Sequence, residues 1–296
     1  MSEIELLCKE QGYNPETTAF LSEQWQKIKN CAEGYAVFME QLEVYKNNIS
    51  TFEHYPMLDK VHEVGNAVGI LPGTMDAILL IFMLPILKEQ YVLQNIPMKY
   101  YDKIVASFRG HAEKSFEKNG VATAGVAWWS MAYFKLKMFY IGRLTFKWRP
   151  FKETYTIGDT VIEEGTYHID VHIPGGGPLT PELVHAAYDE AKPFFEQHYG
   201  KKNLYFACSS WLLSPTLDEM LPPTSNILAF AHEYTIFREG LDPTGEHAGH
   251  YVFGSGVDMK DVDALPEKST LHRAMKARLK AGKGIGTGFG IILPKK

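Results

Sequence analysis

The stretch TYHIDVHIPGGGPLTPELV, residues 166–184, contains the signals that decide how the second half of the chain folds. The residues up to position 173 predict a β-strand, and Pro174 ends it. A glycine-rich turn follows, after which Thr180 is a typical helix cap and Pro181 a typical first helical residue. The stretch therefore predicts a strand, a glycine-rich turn and a helix in direct succession.

The rest of the second half shows mainly the period-two alternation of β-strands. Predicted strands cover residues 141–151, 153–157, 166–173, 203–213, 227–237, 251–253 and 285–293. Predicted helices cover residues 180–200, 217–221 and 267–281. The segments 227–237 and 251–253 are expected to form a hairpin. Hairpins combined with a strand–helix–strand crossover predict a mixed sheet with helices on its faces, in which ligands bind where strand order changes.

The first half of the chain has the apolar spacing of α-helices instead. Helical patterns cover residues 15–45, 56–68 and 72–93, a fourth begins at 97, and a fifth covers 121–140. We therefore predict an α+β protein. An all-helical N-terminal domain of residues 1–140 precedes a mixed α/β sheet domain of residues 141–296.

Composition and charge are those of an ordinary globular protein and exclude several functional classes. The 296 residues are 45% hydrophobic and 22% charged. The net charge of −5 gives no basic excess, so no nucleic-acid partner is expected. The most apolar stretch, residues 77–87, is far shorter than the ~20 residues that span a bilayer, so no membrane partner is expected.

The cysteines and the first residues predict a cytoplasmic protein. Cys8, Cys31 and Cys208 are an odd number at unrelated spacings, which is typical of reduced thiols. The first residues have neither the basic nor the apolar region of a signal peptide. The sequence does not predict an oligomeric state.

His168, Asp170 and His172 alternate along one predicted strand and therefore share a face. Three such side chains could hold a metal ion, and a metal-dependent enzyme is one alternative. No glutamate follows and the strand ends at Pro174, so we expect no metal. The other alternative is that Asp170 tunes His172 as a general base near the glycine-rich turn, while His168 belongs to the core.

The segment CSSWLL, residues 208–213, offers two further reactive side chains. Cys208 is either a nucleophile or a small hydrophobic residue of the core. Ser210 could orient a thioester or protonate a departing thiolate, and Trp211 could line an acyl pocket or fill the core. The alternating glycines of residues 282–290 predict a closely packed strand, because a nucleotide fingerprint would follow a strand and precede a helix.

An ordered series of short motifs resembles a known protein family. The motifs are Ile141–Phe146 (IGRLTF), His172-Ile173-Pro174, Gly177-Pro178-Leu179-Thr180, CSSWLL, Leu221-Pro222 and Ser225-Asn226-Ile227. This series is similar to a bacterial family of acyltransferase-like proteins, which join a helical N-acyltransferase domain to a GNAT-like C-terminal domain. The resemblance covers nearly the whole chain.

The resemblance implies that acyl-CoA binds where two central strands diverge, with its pyrophosphate on backbone amides at the start of the following helix. The residues implied here are Gly175, Gly176, Gly177, Leu179 and Thr180. The usual signature, Arg or Gln followed after two residues by Gly-x-Gly or Gly-x-Ala, is absent. Pro178 and Pro181 also have no N–H to donate.

The implied activity is CoA-dependent N-acyl transfer, directly from acyl-CoA to the amine of a small molecule. In this interpretation His172, steadied by Asp170, deprotonates the amine, and Ser210 protonates the departing sulfur, with Cys208 as a further candidate catalytic residue. We assign the substrate pocket to Trp211, Asn226 and Arg143. A non-catalytic module that binds acyl-CoA or another small metabolite is the remaining alternative.

Overall fold

The computed structural model describes residues 1–254 and 257–294. It divides the chain into two compact units, Met1–Tyr140 and Ile141–Lys296. The predicted fold class, a helical first half followed by a mixed sheet with helices, is confirmed.

Seven helices build the first unit. They are α1 (Glu3–Glu10), α2 (Pro15–Asn30), α3 (Ala32–Asn47), α4 (His54–Ala67), α5 (Pro72–Leu93), α6 (Met98–Asn119) and α7 (Ala127–Phe134). Local sequence signals fix several of their ends. The Asn14 side chain accepts a hydrogen bond from the Thr17 amide at the start of α2, and Gly120 adopts the left-handed conformation after α6.

The core of this unit forms around α5, whose residues are buried on nearly all sides. Trp25 packs against Phe82 of α5 with 4.4 Å between ring centroids and against Phe38 at 5.1 Å. Within the described residues, no helix has by itself the length and hydropathy of a membrane span. Helices α4 and α5 meet these criteria only together, and the pair is bent by 120°.

Two predicted helices differ from the structure. The pattern over 15–45 is divided at Cys31, whose extended backbone separates α2 from α3 without disturbing the apolar period. The pattern over 121–140 is helical only in α7. Leu136 then has a φ of 55°, and a strand begins at Met138, because a left-handed residue cannot continue a right-handed helix.

A six-stranded sheet, whose first strand begins three residues before the second unit, forms the centre of that unit, in the order β1-β2-β5-β6-β8-β7. Its strands are β1 (Met138–Ile141), β2 (Leu144–Pro150), β5 (Tyr167–His172), β6 (Phe206–Ser210), β7 (Thr235–Asp242) and β8 (Ile285–Ile292). The strands β3 (Tyr155–Ile157) and β4 (Thr160–Ile162) form a separate hairpin. Strands β5 and β6 are parallel, whereas the pairs β2–β5, β6–β8 and β7–β8 are antiparallel.

The parallel pair is connected through α8 (Pro181–Tyr199), which packs on one face of the sheet. Trp148 of β2 stacks on Tyr199 of α8 with ring centroids 4.5 Å apart, and Phe206 of β6 lies 4.7 Å from Tyr188. On the other face, Ala207 of β6 packs in an apolar cluster with residues of the β3–β4 hairpin. The predicted crossover from strand to helix to strand is therefore present.

The predicted hairpin of 227–237 with 251–253 is wrong. Residues Asn226–Ala231 form helix α9, β7 starts only at Thr235, and residue 251 lies in helix α10 (Glu246–Val252). The physical reason is a local cap. The Ser225 hydroxyl accepts a hydrogen bond from the Ile227 amide and starts a helix in a segment of high β propensity.

The final strand follows helix α11 (Thr270–Lys280), and it is closely packed, as its glycines predict. A side chain at Gly288 would overlap the Leu213 carbonyl, and one at Gly286 would overlap the Ser214 side chain. The segment 211–214 leaves β6 in a short 3-10 turn and crosses directly over β8. The glycines therefore make room for a backbone crossing.

Candidate functional site

The candidate site lies where the parallel strands β5 and β6 part. Their register is Ile169 with Phe206 and Asp170 with Ala207, and the pairing ends at these residues. Strand β5 stays paired with β2 as far as His172, and β6 stays paired with β8 as far as Ser210. The carboxyl ends of the two strands are thus held by different neighbours, which leaves a gap between them.

The register decides which side chains share a face of the sheet. Asp170 lies beside Ala207, so His172 and Ser209 continue that face, whereas Cys208 and Ser210 belong to the face of Phe206 and α8. Asp170 and His172 therefore lie on one face of the sheet, and Cys208 and Ser210 lie on the other. They flank the gap from opposite faces because the parallel register pairs Asp170 with residue 207.

Asp170 is the charged centre on its face. Its side chain is buried, and its Oδ2 accepts a hydrogen bond of 3.1 Å from Arg149 Nη1. His172 Nε2 lies 3.4 Å from the same oxygen. Burial alone would raise the pKa of Asp170, but His172 and the Arg149 charge outweigh it, so the pKa lies below its ordinary value. The predicted pairing of Asp170 with His172 is present.

His168 is a core residue, as one of the two alternatives in the sequence analysis predicts. Its ring stacks on Phe151 with centroids 3.9 Å apart, and burial lowers its pKa to about 4. Across the described parts of the chain, no group of three His, Cys, Asp or Glu side chains is placed to hold a metal ion. The geometry gives the alternative of a metal-dependent enzyme no support.

Cys208 is fully buried beneath α8. Burial raises its pKa well above the ordinary value of a thiol. Nearby, the hydroxyl groups of Tyr188 and Tyr234 form a buried hydrogen bond of 2.7 Å. A thiol in such surroundings stays protonated, so the geometry favours its structural interpretation over the nucleophilic one.

The other predicted polar residues end or begin secondary structure. Ser210 Oγ accepts a hydrogen bond of 3.1 Å from the Leu212 amide and starts the 3-10 turn after β6. Trp211, in that turn, is buried. Asn226 is the exposed first residue of α9. Their assigned roles at the site stay predictions.

The glycine-rich turn between β5 and α8 is exposed and spacious. Gly176 and Gly177 have φ values of 79° and 77°, which favour glycine. A side chain added at Gly175 or Gly176 would meet no heavy atom within 4 Å. Space is therefore open on the outside of the loop, next to the first turn of α8.

Arg143 has a role that sequence reasoning missed. Its guanidinium donates hydrogen bonds to the carbonyl oxygens of Pro174 at 2.8 Å, Pro178 at 2.9 Å and Gly177 at 3.2 Å. It thus binds the inside of the turn, and these contacts do not place it in an acyl or acceptor pocket. No pattern in the local sequence signals a contact between residues more than thirty positions apart.

Two more residues of the site were missed. Ser209 is exposed on the face of Asp170 and His172, and its alternation with Cys208 was visible, but the strand register was not. Glu182 lies in the first turn of α8, where its own amide and the Thr180 hydroxyl hold its pKa below the ordinary value. An acidic residue in a first helical turn is a recognisable sequence signal.

A mixed sheet with one diverging parallel pair, joined through a glycine-rich turn and a helix, defines the class of this domain. Residues 138–292 match the family described as "GNAT-like C-terminal domain", and the chain belongs to that family. The resemblance drawn from the sequence motifs is confirmed. No curated protein gives a significant match.

Solved structures of an acyltransferase are similar over the whole chain. They include its complexes with decanoyl-CoA and teicoplanin and with CoA and 10C-teicoplanin, and a mutant bound to octanoyl-CoA. Each shares 20% sequence identity and a TM-score of 0.64, covering 99% of this chain and 100% of the other. At this identity, the likeness establishes a shared fold.

Proposed function

We propose that the protein is an acyltransferase that takes an acyl group from acyl-CoA and transfers it directly to an amine of a small molecule. The observation that carries the proposal is the gap between β5 and β6, which opens directly onto the glycine-rich turn and the start of α8. Membership of the GNAT-like family and the acyl-CoA bound in structures of the same fold support it.

The turn and α8 form the end of the site that binds the CoA pyrophosphate. A helix N-terminus favours an anion through its free amides and its partial positive charge. The open space around Gly175 and Gly176 lets phosphate oxygens approach the backbone. The loop residues that we assign to this contact are Gly175, Gly176, Gly177, Leu179 and Thr180.

The thioester then lies in the gap between the strands. The acceptor nitrogen attacks the thioester carbonyl, the C–N bond forms, and the C–S bond breaks. His172 accepts the amine proton, and the buried Asp170 carboxylate stabilises the resulting imidazolium. The departing thiolate takes a proton from the Ser210 hydroxyl, whose oxygen accepts from Leu212 while its hydrogen stays available. The proton held by His172 then returns through solvent to the Ser210 oxygen, so that both side chains regain their starting state.

The acceptor is a small-molecule amine, and the reaction takes place in the cytoplasm, where acyl-CoA is available. The similar acyltransferase was solved with a glycopeptide, teicoplanin, which supports an acceptor of small-molecule size. The same structures contain octanoyl and decanoyl thioesters, so medium-chain acyl-CoA is the first donor to test.

Calorimetric titration with CoA, acetyl-CoA and decanoyl-CoA tests the donor. We expect saturable binding of each ligand by the folded protein. No heat of binding at millimolar ligand, with an unchanged circular dichroism spectrum, would exclude a CoA-dependent function. Thiol release in the presence of a panel of amines tests turnover.

A non-catalytic acyl-CoA binding module is the second candidate. Pro178 and Pro181 remove amide donors next to the turn, and the usual phosphate-binding signature is absent. This module would bind decanoyl-CoA without releasing thiol above the rate of the ligand alone. An enzyme would release thiol in proportion to both its own and the acceptor's concentration.

A further inference from the structure

Three carbonyl groups of the glycine-rich turn converge on one side chain. The Arg143 guanidinium binds the carbonyls of Pro174, Gly177 and Pro178 at 2.8, 3.2 and 2.9 Å, using Nη1, Nη2 and Nε. A planar guanidinium presents these donors in a fixed fork. The side chain therefore sets the direction of three peptide groups at once.

The planar peptide group also determines where the amides that follow these carbonyls point. In a trans peptide the C=O and the following N–H point in opposite directions, and no cis bond occurs among the described residues. Because the Pro174 and Pro178 carbonyls point to Arg143, the amides of Gly175 and Leu179 point away from it. The Gly177 carbonyl precedes Pro178, which has no amide hydrogen.

These two amides are free to bind something else. Throughout residues 1–254 and 257–294, neither the Gly175 nor the Leu179 N–H has a hydrogen-bond partner in the protein. Gly175 belongs to the exposed side of the turn, where a side chain at Gly175 or Gly176 would meet nothing within 4 Å, whereas Leu179 is half-buried just before α8. Two unsatisfied donors thus lie at opposite ends of one short turn.

The position of Arg143 is itself fixed by its neighbour. Gly142 has a φ of 57°, and a side chain there would lie 2.9 Å from Cβ of Ala187 in α8. Glycine at position 142 therefore allows the turn between β1 and β2 to pack directly on α8. The residue next to Arg143 thus packs against the second turn of α8.

We propose that Arg143 is a positioning residue for the diphosphate of CoA, which holds the turn from its inner side so that the Gly175 and Leu179 amides aim at the phosphate oxygens. This inference rests on the proposed function. It also explains how the domain orients the turn without the usual Arg or Gln signature within it. Arg143 acts through the backbone and does not touch the ligand.

Calorimetric titration of paired ligands tests the inference. The probes are decanoyl-CoA and decanoyl-pantetheine, which has the same thioester arm but no diphosphate or nucleotide. The variants are Arg143→Met, which removes the fork and the charge, and Arg143→Lys, which keeps the charge alone. Lys152→Met, at an exposed site after β2, is the matched control for the loss of one positive charge.

We expect both Arg143 variants to bind decanoyl-CoA at least about tenfold more weakly than wild type, with decanoyl-pantetheine affinity unchanged. Lys152→Met should behave as wild type. Arg143→Lys with full affinity would overturn positioning in favour of charge, and equal losses for both probes would overturn a role at the diphosphate. Unchanged affinity in both variants would also overturn it. If wild type binds neither probe, the proposed function itself fails.

Discussion

Asp170 accepts a 3.1 Å hydrogen bond from Arg149 across the β2–β5 pair, and only the arginine reaches solvent. The register sets Asp170 opposite Lys147 and Arg149 opposite His168, so the contact is a diagonal one on one face of the sheet. A carboxylate can stay ionised at this depth because its partners compensate for the lost hydration.

Asp170→Asn should lower the free energy of unfolding by about 1–3 kcal/mol, because it removes a buried charge from its partners. This loss is smaller than that expected for a fully buried ion pair, because the Arg149 side chain is partly exposed. Urea denaturation at neutral pH measures the change. Asp159→Asn, in the exposed β3–β4 turn, is the control, and equal stability of the two variants would contradict a structural role for the pair.

His168 should make stability fall between pH 6.5 and about 4. Its pKa is depressed to about 4 in the folded protein, so the unfolded chain binds a proton first as the pH falls. The stability associated with the neutral ring is present above pH 6.5 and decreases by about 3 kcal/mol towards pH 4. Denaturation midpoints of wild type and His168→Gln should therefore converge as the pH falls. Parallel pH profiles would show that His168 does not titrate in this way.

His172→Ala should reduce acyl transfer by ~10²–10⁴-fold if the imidazole is the general base, while decanoyl-CoA affinity stays unchanged. Thiol release at saturating donor and acceptor measures the rate, and calorimetry measures the binding. His185→Ala, at an exposed position of α8, should keep the wild-type rate. A His172 variant of full activity would remove this residue from the mechanism.

Glu182→Gln should tighten CoA binding by about two- to fivefold. The Glu182 carboxylate lies at the start of α8, where its negative charge competes with an incoming phosphate for the helix terminus. Titrations at low and high salt should show that the gain shrinks as salt increases. Asp189→Asn, an exposed change in the middle of the same helix, is the control, and an equal gain there would indicate a general charge effect.

Cys208 should resist alkylation in the native protein and should not form an acyl-enzyme. Its thiol is buried and its pKa is raised, whereas Cys31 is partly exposed. Mass spectrometry after brief N-ethylmaleimide treatment should find the label on Cys31 first. A stable acyl adduct on Cys208 after incubation with decanoyl-CoA would restore the nucleophilic interpretation.

Much of the fold could be predicted because its signals are local. The change of apolar period near residue 140 is visible along the chain, and Pro181 and Gly200 mark the first residue and the C-cap of α8. The strands that were wrongly predicted over parts of 203–213 and 227–237 also have local causes, namely side-chain hydroxyl groups that start helical turns. The hydroxyls of Ser210 and Ser225 each start a helical turn in a segment whose composition favours a strand.

The site was less predictable because it depends on register and on distant contacts. Alternation correctly put Asp170 and His172 on one face, but it could not reveal that the parallel register puts Cys208 and Ser210 on the other. Likewise, the Arg143 fork reaches carbonyl groups that local patterns do not connect to it. The spacing of residues shows which side chains share a face of one strand. Only the pairing register shows which side chains of two strands share a face of the sheet.

The crossing of the 211–214 segment over β8 limits how the sequence of this domain can change. Alanine at Gly286 or Gly288 would push two backbone segments apart, although neither residue touches the gap between β5 and β6. Gly175, by contrast, has free space around it and no positive φ. As far as packing is concerned, related sequences can therefore vary Gly175 more easily than the glycines of the last strand, so that strand is the better marker of common descent.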